Sequence, residues 1–146
     1  MVDYSGQVVG MIGFIEKNNA QSFFLIPANK IKMIVNRAIA KELEKNPILG
    51  IYYIPISKTY VIENNLSISS GALIHSDSGQ QGLAVLANSP AQKAGLKLGD
   101  IITAVGGKEV TAHNSLSELL YEHKKGEQVE LTVLRDGQSM AVKVDL

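Results

Sequence analysis

A single run, Ser89-Pro-Ala-Gln-Lys-Ala-Gly-Leu-Lys-Leu-Gly-Asp-Ile-Ile-Thr-Ala-Val-Gly-Gly-Lys-Glu-Val110, constrains this chain more than any other stretch. Ser89 is suited to cap a short helix, and Pro90 stands at the first helical position, where a missing N–H costs nothing. Ala91 to Ala94 supply one or two turns. Gly95 takes the left-handed conformation that stops them, and Leu96 folds back as the apolar contact of the cap. Gly99-Asp100 turns the chain into a strand over Ile101–Val105. Gly106-Gly107 is a two-residue hairpin signal, followed by a second short strand over Lys108–Val110.

The rest of the chain is read around that run. Ser5-Gly6 is a turn, Gln7–Ile15 and Ser22–Ile26 are apolar strands, and Lys17-Asn18-Asn19 is the polar turn between them. Asn29 caps a helix to about Lys45, with Ile31, Ile34, Val35, Ala38, Ile39 and Leu43 at helical spacing, expected to make one buried face. Pro47 stops that helix and marks the boundary between two regions, 1–46 and 47–146. Beyond it, Leu49–Ile56 reads as a strand and Ser57–Asn65 as a short helix. Gly71–His75 and Gly82–Ala87 read as strands joined by the turn Asp77-Ser78-Gly79-Gln80. Asn114–Lys124 is a helix in which Ser115 and Glu118 have capping-box spacing. Gln128–Leu134 and Ser139–Val144 close the chain as a hairpin. The expected class is therefore α+β.

Composition narrows the function. Basic and acidic side chains number 14 each and are interspersed, so no nucleic-acid or anionic-membrane surface is indicated. The absence of cysteine removes disulfides and thiolate metal sites. Three scattered histidines make no metal site, and no cofactor is expected. No apolar run approaches the roughly 20 residues of a membrane span. The N-terminus lacks the basic-then-apolar order of a signal peptide, so an export signal is expected upstream of this chain, if there is one.

The Ser89–Val110 run resembles the core of a bacterial PDZ domain, where an "SPA..AGL..GD.I..V.G" pattern recurs. The resemblance implies a partly open β-barrel or sandwich with two to three helices over 47–146. It also implies a groove in which a partner's C-terminal tail adds as a strand. Leu49-Gly50-Ile51 matches the family's Φ-Gly-Φ loop, whose backbone N–H groups receive the terminal carboxylate. The resemblance then assigns peptide binding to Leu49, Gly50, Ile51, Tyr52 and Tyr53 on one wall. Leu116, Leu119, Leu120 and His123 fall on the helical wall, where Leu116 and Leu120 stand four apart. An aliphatic pocket favours a hydrophobic C-terminal residue such as Val, Leu, Ile or Phe. Taken singly, each of these aliphatic residues reads first as core, and only their order and spacing around the Ser89–Val110 run give them the groove role.

Val2–Gly10, the run Ser22-Phe-Phe-Leu-Ile-Pro-Ala-Asn29 and Ile31–Val35 resemble the end of a Deg/HtrA-type serine protease domain. That family joins a trypsin-like double barrel to one or two PDZ domains, usually outside the cytoplasm. Its catalytic serine lies in a Gly-Asn-Ser-Gly-Gly stretch just before a segment like Val2–Gly10. The resemblance therefore implies a strand–strand–helix remnant of a protease barrel ahead of a PDZ domain, with no catalytic residue in this chain and a serine endopeptidase as its parent. His75-Ser76-Asp77-Ser78-Gly79 superficially matches a trypsin-like nucleophile string, but it lacks the flanking glycines and the upstream histidine and acid. Residues 1–45 are expected to leave unpaired edges and apolar faces that favour a homo-oligomer. Two functions stay open: a module that captures hydrophobic C-termini of unfolded or signalling proteins, and a scaffold or oligomerisation element of the same protease with an empty groove.

Overall fold

Two units make up the computed structural model, Met1–Lys45 and Asn46–Leu146. It describes residues 1–17, 20–41, 47–64, 66 and 68–146.

The first unit is an antiparallel hairpin and a helix. Asp3 starts it: its Oδ1 accepts the Ser5 and Gln7 N–H groups, folding a turn through Gly6 at φ +80°. Strand β1 (Gly10–Lys17) pairs with β2 (Ala20–Pro27) in a register that sets Phe14 opposite Phe23. Helix α1 (Ala28–Ile39) begins directly after Pro27, which occupies the cap position expected of Asn29. Its expected buried face is open at Ile34, Val35 and Ile39, because a two-stranded hairpin is too small to cover it. It also ends before the expected Lys45. Ala40 closes it, and Lys41 at φ +55° turns the backbone left-handed, so the stop precedes Pro47. The remainder of the expected helix, 42–45, lies outside the described residues. Met11, Ile12, Phe14, Phe23, Phe24 and Leu25 are all exposed in this unit. Because successive strand residues point to opposite faces, both faces of the hairpin are apolar.

The second unit is built on an open six-stranded antiparallel sheet in the order β3-β4-β5-β7-β8, with β6 also paired to β5. Its strands are β3 (Tyr53–Pro55), β4 (Ala72–Ile74), β5 (Ile101–Val105), β6 (Lys108–Glu109), β7 (Gln128–Arg135) and β8 (Gln138–Asp145). Alternation on β7 sends Val129, Leu131 and Val133 inward, where they meet Ile74, Ile102, Val105 and Val144. The Gly106-Gly107 turn, at φ +55° and +80°, and the turn of the closing hairpin at Asp136-Gly137, at +50° and +79°, both have the left-handed backbone of the hairpin type. A register shift between Ile102 and Ala104 bulges β5 against β7.

Four short helices accompany the sheet among the described residues: α2 (Lys58–Glu63), α3 (Gln81–Ala84), α4 (Pro90–Lys93) and α5 (Leu116–Tyr121). The Ser89 run folds as its residues dictate. Ser89 Oγ accepts the Gln92 N–H, Pro90 opens α4, and Gly95 at φ +75° ends it. Helix α3 departs from the expected strand Gly82–Ala87. Leu83 and Ala84 donate to the Gln80 carbonyl, and the Gln81 amide clamps the turn to Leu96 O and Leu98 N–H. β4 therefore pairs with β3 and β5 instead of folding back on 82–87. The expected strand Leu49–Ile56 is likewise shorter. Gly50 at φ +77° interrupts it, leaving a single bridge, Ile51 to Val85, before β3.

Candidate functional site

A cavity of about 300 Å³ lies between the start of the second unit and α5. Its lining on the strand side is continuous from Pro47 to Tyr53, with Leu86 beside it. On the helix side it is lined by Leu116, Ser117, Leu120 and Tyr121.

The strand wall is held by its carbonyls. Leu49 O accepts the Ala91 N–H at 3.0 Å, and Gly50 O accepts the Leu86 N–H at 2.9 Å. Tyr52 N–H donates to Ala84 O at 2.9 Å. Among the described residues, the N–H groups of Gly50 and Ile51 donate to no backbone carbonyl. Glycine is required at position 50 on two counts: its left-handed φ, and the Ser89 Cβ that would stand 2.3 Å from an added methyl. The cap residue of α4 thus braces the loop from behind. Leu49 is buried, Ile51 packs on the core, and Tyr52 is exposed. β3 follows as an edge strand of the sheet, with β4 as its sheet neighbour.

The helix wall is set by a complete capping box. Ser115 Oγ accepts the Glu118 N–H, and Glu118 Oε2 accepts the Ser115 N–H at 2.9 Å. At 100° per residue, positions 116, 117, 120 and 121 share one face of α5, and these are the four that line the cavity. Leu119 falls on another side and lies in the core with 3% exposure. His123 lies past the helix end, where its Nδ1 is 2.6 Å from Glu127 Oε1. The structure thus gathers Leu49, Gly50, Ile51, Tyr52, Tyr53, Leu116 and Leu120 around one cavity and places Leu119 and His123 outside its lining. Sequence reasoning missed Ser117 and Tyr121: on the helix Ser117 and Leu119 stand equally far in angle from the Leu116–Leu120 stripe, and packing against the strand wall decides between the two sides. It also missed Leu86, whose place depends on the bond to Gly50. A hydrogen bond between Tyr53 Oη and Ser117 Oγ at 2.8 Å joins the two walls.

Glu127 also accepts the Lys124 N–H. Its carboxyl is held below the ordinary glutamate range, first by the hydrogen bond from His123 and then by that backbone N–H. A second cavity, of about 480 Å³, is lined by Tyr52, Tyr53, Ile54, Leu83 and the turn His75–Ser78. In that turn Ser76 and Ser78 bond each other through their hydroxyls at 3.0 Å, and the His75 ring faces Asp77 at 3.4 Å.

Comparison with known proteins identifies the family. The PDZ domain family model matches residues 47–146. The whole chain is 32% identical to the serine protease Do-like HtrB of Bacillus subtilis (strain 168), covering 32% of that protein. It is 34% identical over its whole length to the serine protease Do-like HtrA of Lactobacillus helveticus, covering 36% of it. It is 30% identical to a probable periplasmic serine protease of Haemophilus influenzae, again over the whole chain. The chain spans about a third of the length of these curated relatives. Among solved structures it matches the HtrA-type protease AlgW with tripeptide at a TM-score of 0.66 and 20% identity, covering 99% of this chain and 46% of that one. AlgW with decapeptide matches at 0.64, with 99% of this chain and 43% of that one covered. The chain belongs to the PDZ domain family, and along its whole length it is of the HtrA type.

Proposed function

We propose that residues 47–146 bind hydrophobic C-terminal tails of other proteins, which add as a strand along the open edge of β3. The observation that carries this reading is the loop at Gly50. Its carbonyls are tied inward, while the N–H groups of Gly50 and Ile51 are left for an anion at the head of an apolar cavity. Leu49, Ile51, Leu116 and Leu120 form the pocket for the last ligand residue, with Leu86 and Tyr121 beside them. Tyr52 and Tyr53 flank the residues upstream. Leu119 and His123 support α5 from outside the cavity.

In this reading residues 1–46 are the end of a protease domain, and the parent protein is a serine endopeptidase to which the groove recruits or reports substrates. This chain supplies binding and no catalytic residue. The relatives named periplasmic favour a site of action outside the cytoplasm. Among the described residues no helix is long and apolar enough to cross a membrane.

The test is a titration with hydrophobic-ended peptides, each with a free and an amidated C-terminus. Saturable binding that is lost on amidation supports the carboxylate loop, while equal binding of both forms, or none, removes it. The exposed faces of the β1–β2 hairpin favour a second role, self-association through residues 1–45, which sedimentation of the isolated chain tests.

A further inference from the structure

We propose that the Tyr53–Ser117 hydrogen bond is a latch that closes the groove in the free protein and must open before a ligand strand seats. This rests on the binding reading above. Tyr53 is on the edge strand and Ser117 on the first turn of α5, 64 residues apart in sequence, yet their hydroxyls meet at 2.8 Å. Both line the 300 Å³ cavity, and on the strand side the lining ends at Tyr53. A strand added beside β3 would lie about 4.8 Å from it. Its residue opposite Tyr53 would send a side chain into the gap between β3 and α5, on the same face as Tyr53. The Tyr53 side chain crosses that gap to reach Ser117. Ring and incoming side chain compete for one space, and the bond holds the ring in it.

Tyr53 also lines the 480 Å³ cavity, together with its neighbours Tyr52 and Ile54. The latch ties two exposed hydroxyls, and such a bond contributes only modestly because water competes for both partners. It is thus weak enough for a ligand to break, yet it imposes a conformational cost on every ligand, whatever its sequence.

Removing either hydroxyl removes the latch, so Tyr53→Phe, Ser117→Ala and the double variant are expected to tighten binding of one hydrophobic-ended free-acid peptide equally, by about two- to tenfold. Equal effects in the three variants follow from a shared bond and are not expected of two independent contacts. Unchanged or weaker binding in the single variants overturns the latch, because the hydroxyls would then be inert or would touch the ligand. If the unsubstituted chain binds no free-acid peptide, the groove reading fails first, and the latch is judged without ligand. The Leu119 amide, bonded to Ser115 O within α5, should then exchange faster in Tyr53→Phe, and an unchanged rate overturns the proposal. Thermal unfolding of each variant shows whether the fold is retained.

Discussion

Arg135 grips Asp100 with two hydrogen bonds, Nε to Oδ1 at 2.7 Å and Nη2 to Oδ2 at 2.6 Å, 35 residues apart in sequence. Asp100 is 1% exposed, and its Oδ2 also accepts the Lys97 N–H at 2.8 Å. Arg135 donates onward to Gly95 O, so one guanidinium ties the end of β7 to both ends of the Gly95–Asp100 turn. The pairing raises the Arg135 pKa, through the Asp100 hydrogen bonds first. Asp100→Ala leaves the guanidinium without its carboxylate and the Lys97 N–H without an acceptor. It is expected to cost about 3 kcal/mol, the low end for a buried pair, because Arg135 retains some access to water. The exposed Lys108–Glu122 pair is the control: Lys108→Ala should change stability by no more than about 1 kcal/mol. Urea unfolding of both variants reads the difference.

Gly50→Ala places a methyl 2.3 Å from the Ser89 Cβ at a φ of +77°. Relief requires moving the loop or the start of α4, at roughly 1–3 kcal/mol. The expected result is a folded domain with peptide affinity reduced more than tenfold. Wild-type affinity in a calorimetric titration would remove the loop from the site.

The capping box makes α5 dependent on one side chain. Ser115→Ala frees the Glu118 N–H and loses the Ser115–Glu118 hydroxyl–carboxylate bond of 2.6 Å. A loss of about 1 kcal/mol follows. In a domain of this size that lowers the melting temperature by about 4–8 °C. An unchanged melting curve would show that packing of Leu116, Leu119 and Leu120 alone holds the helix.

Glu127 links the turn after α5 to acid. Its carboxyl titrates below the ordinary value of 4.5, so the folded state favours the charged form. Its contribution is present above that value and is lost as pH falls through the lower folded pKa. The Lys124 amide bonded to Glu127 is expected to lose protection only as pH falls below the ordinary glutamate range. In Glu127→Gln that acid transition should vanish from the Lys124 amide signal in an NMR titration.

Phe14 and Phe23 stand opposite each other on the hairpin, ring centroids 6.3 Å apart, and both are more than half exposed. Self-association through this surface predicts that Phe14→Lys together with Phe23→Glu shifts the isolated chain toward monomer. Sedimentation velocity checks it, and a monomeric unsubstituted chain would contradict it.

Where backbone chemistry is local, the sequence was legible. Ser89, Pro90 and Gly95 shape α4, Ser115 and Glu118 start α5, and the two glycine-bearing turns have the conformations their residues require. Each of these features is decided within about six residues, by capping and by permitted φ. The helical spacing of Leu116 and Leu120 likewise anticipated one face of the groove. The segment 81–86 was illegible for the opposite reason. A short apolar run is compatible with strand or helix, and the choice was made by Gln81 binding Leu96 and Leu98.

By itself the sequence determined the α+β class and the Ser89–Val110 core, because glycine, proline and capping residues act on their own neighbours. Only the tertiary structure decided which side chains share a cavity. Leu119 turns into the core, Ser117 and Tyr121 turn into the groove, and Leu86 arrives through a bond to Gly50. Tyr53 and Ser117 meet only because sheet and helix pack side by side, and no local preference at either residue encodes a bond across 64 positions.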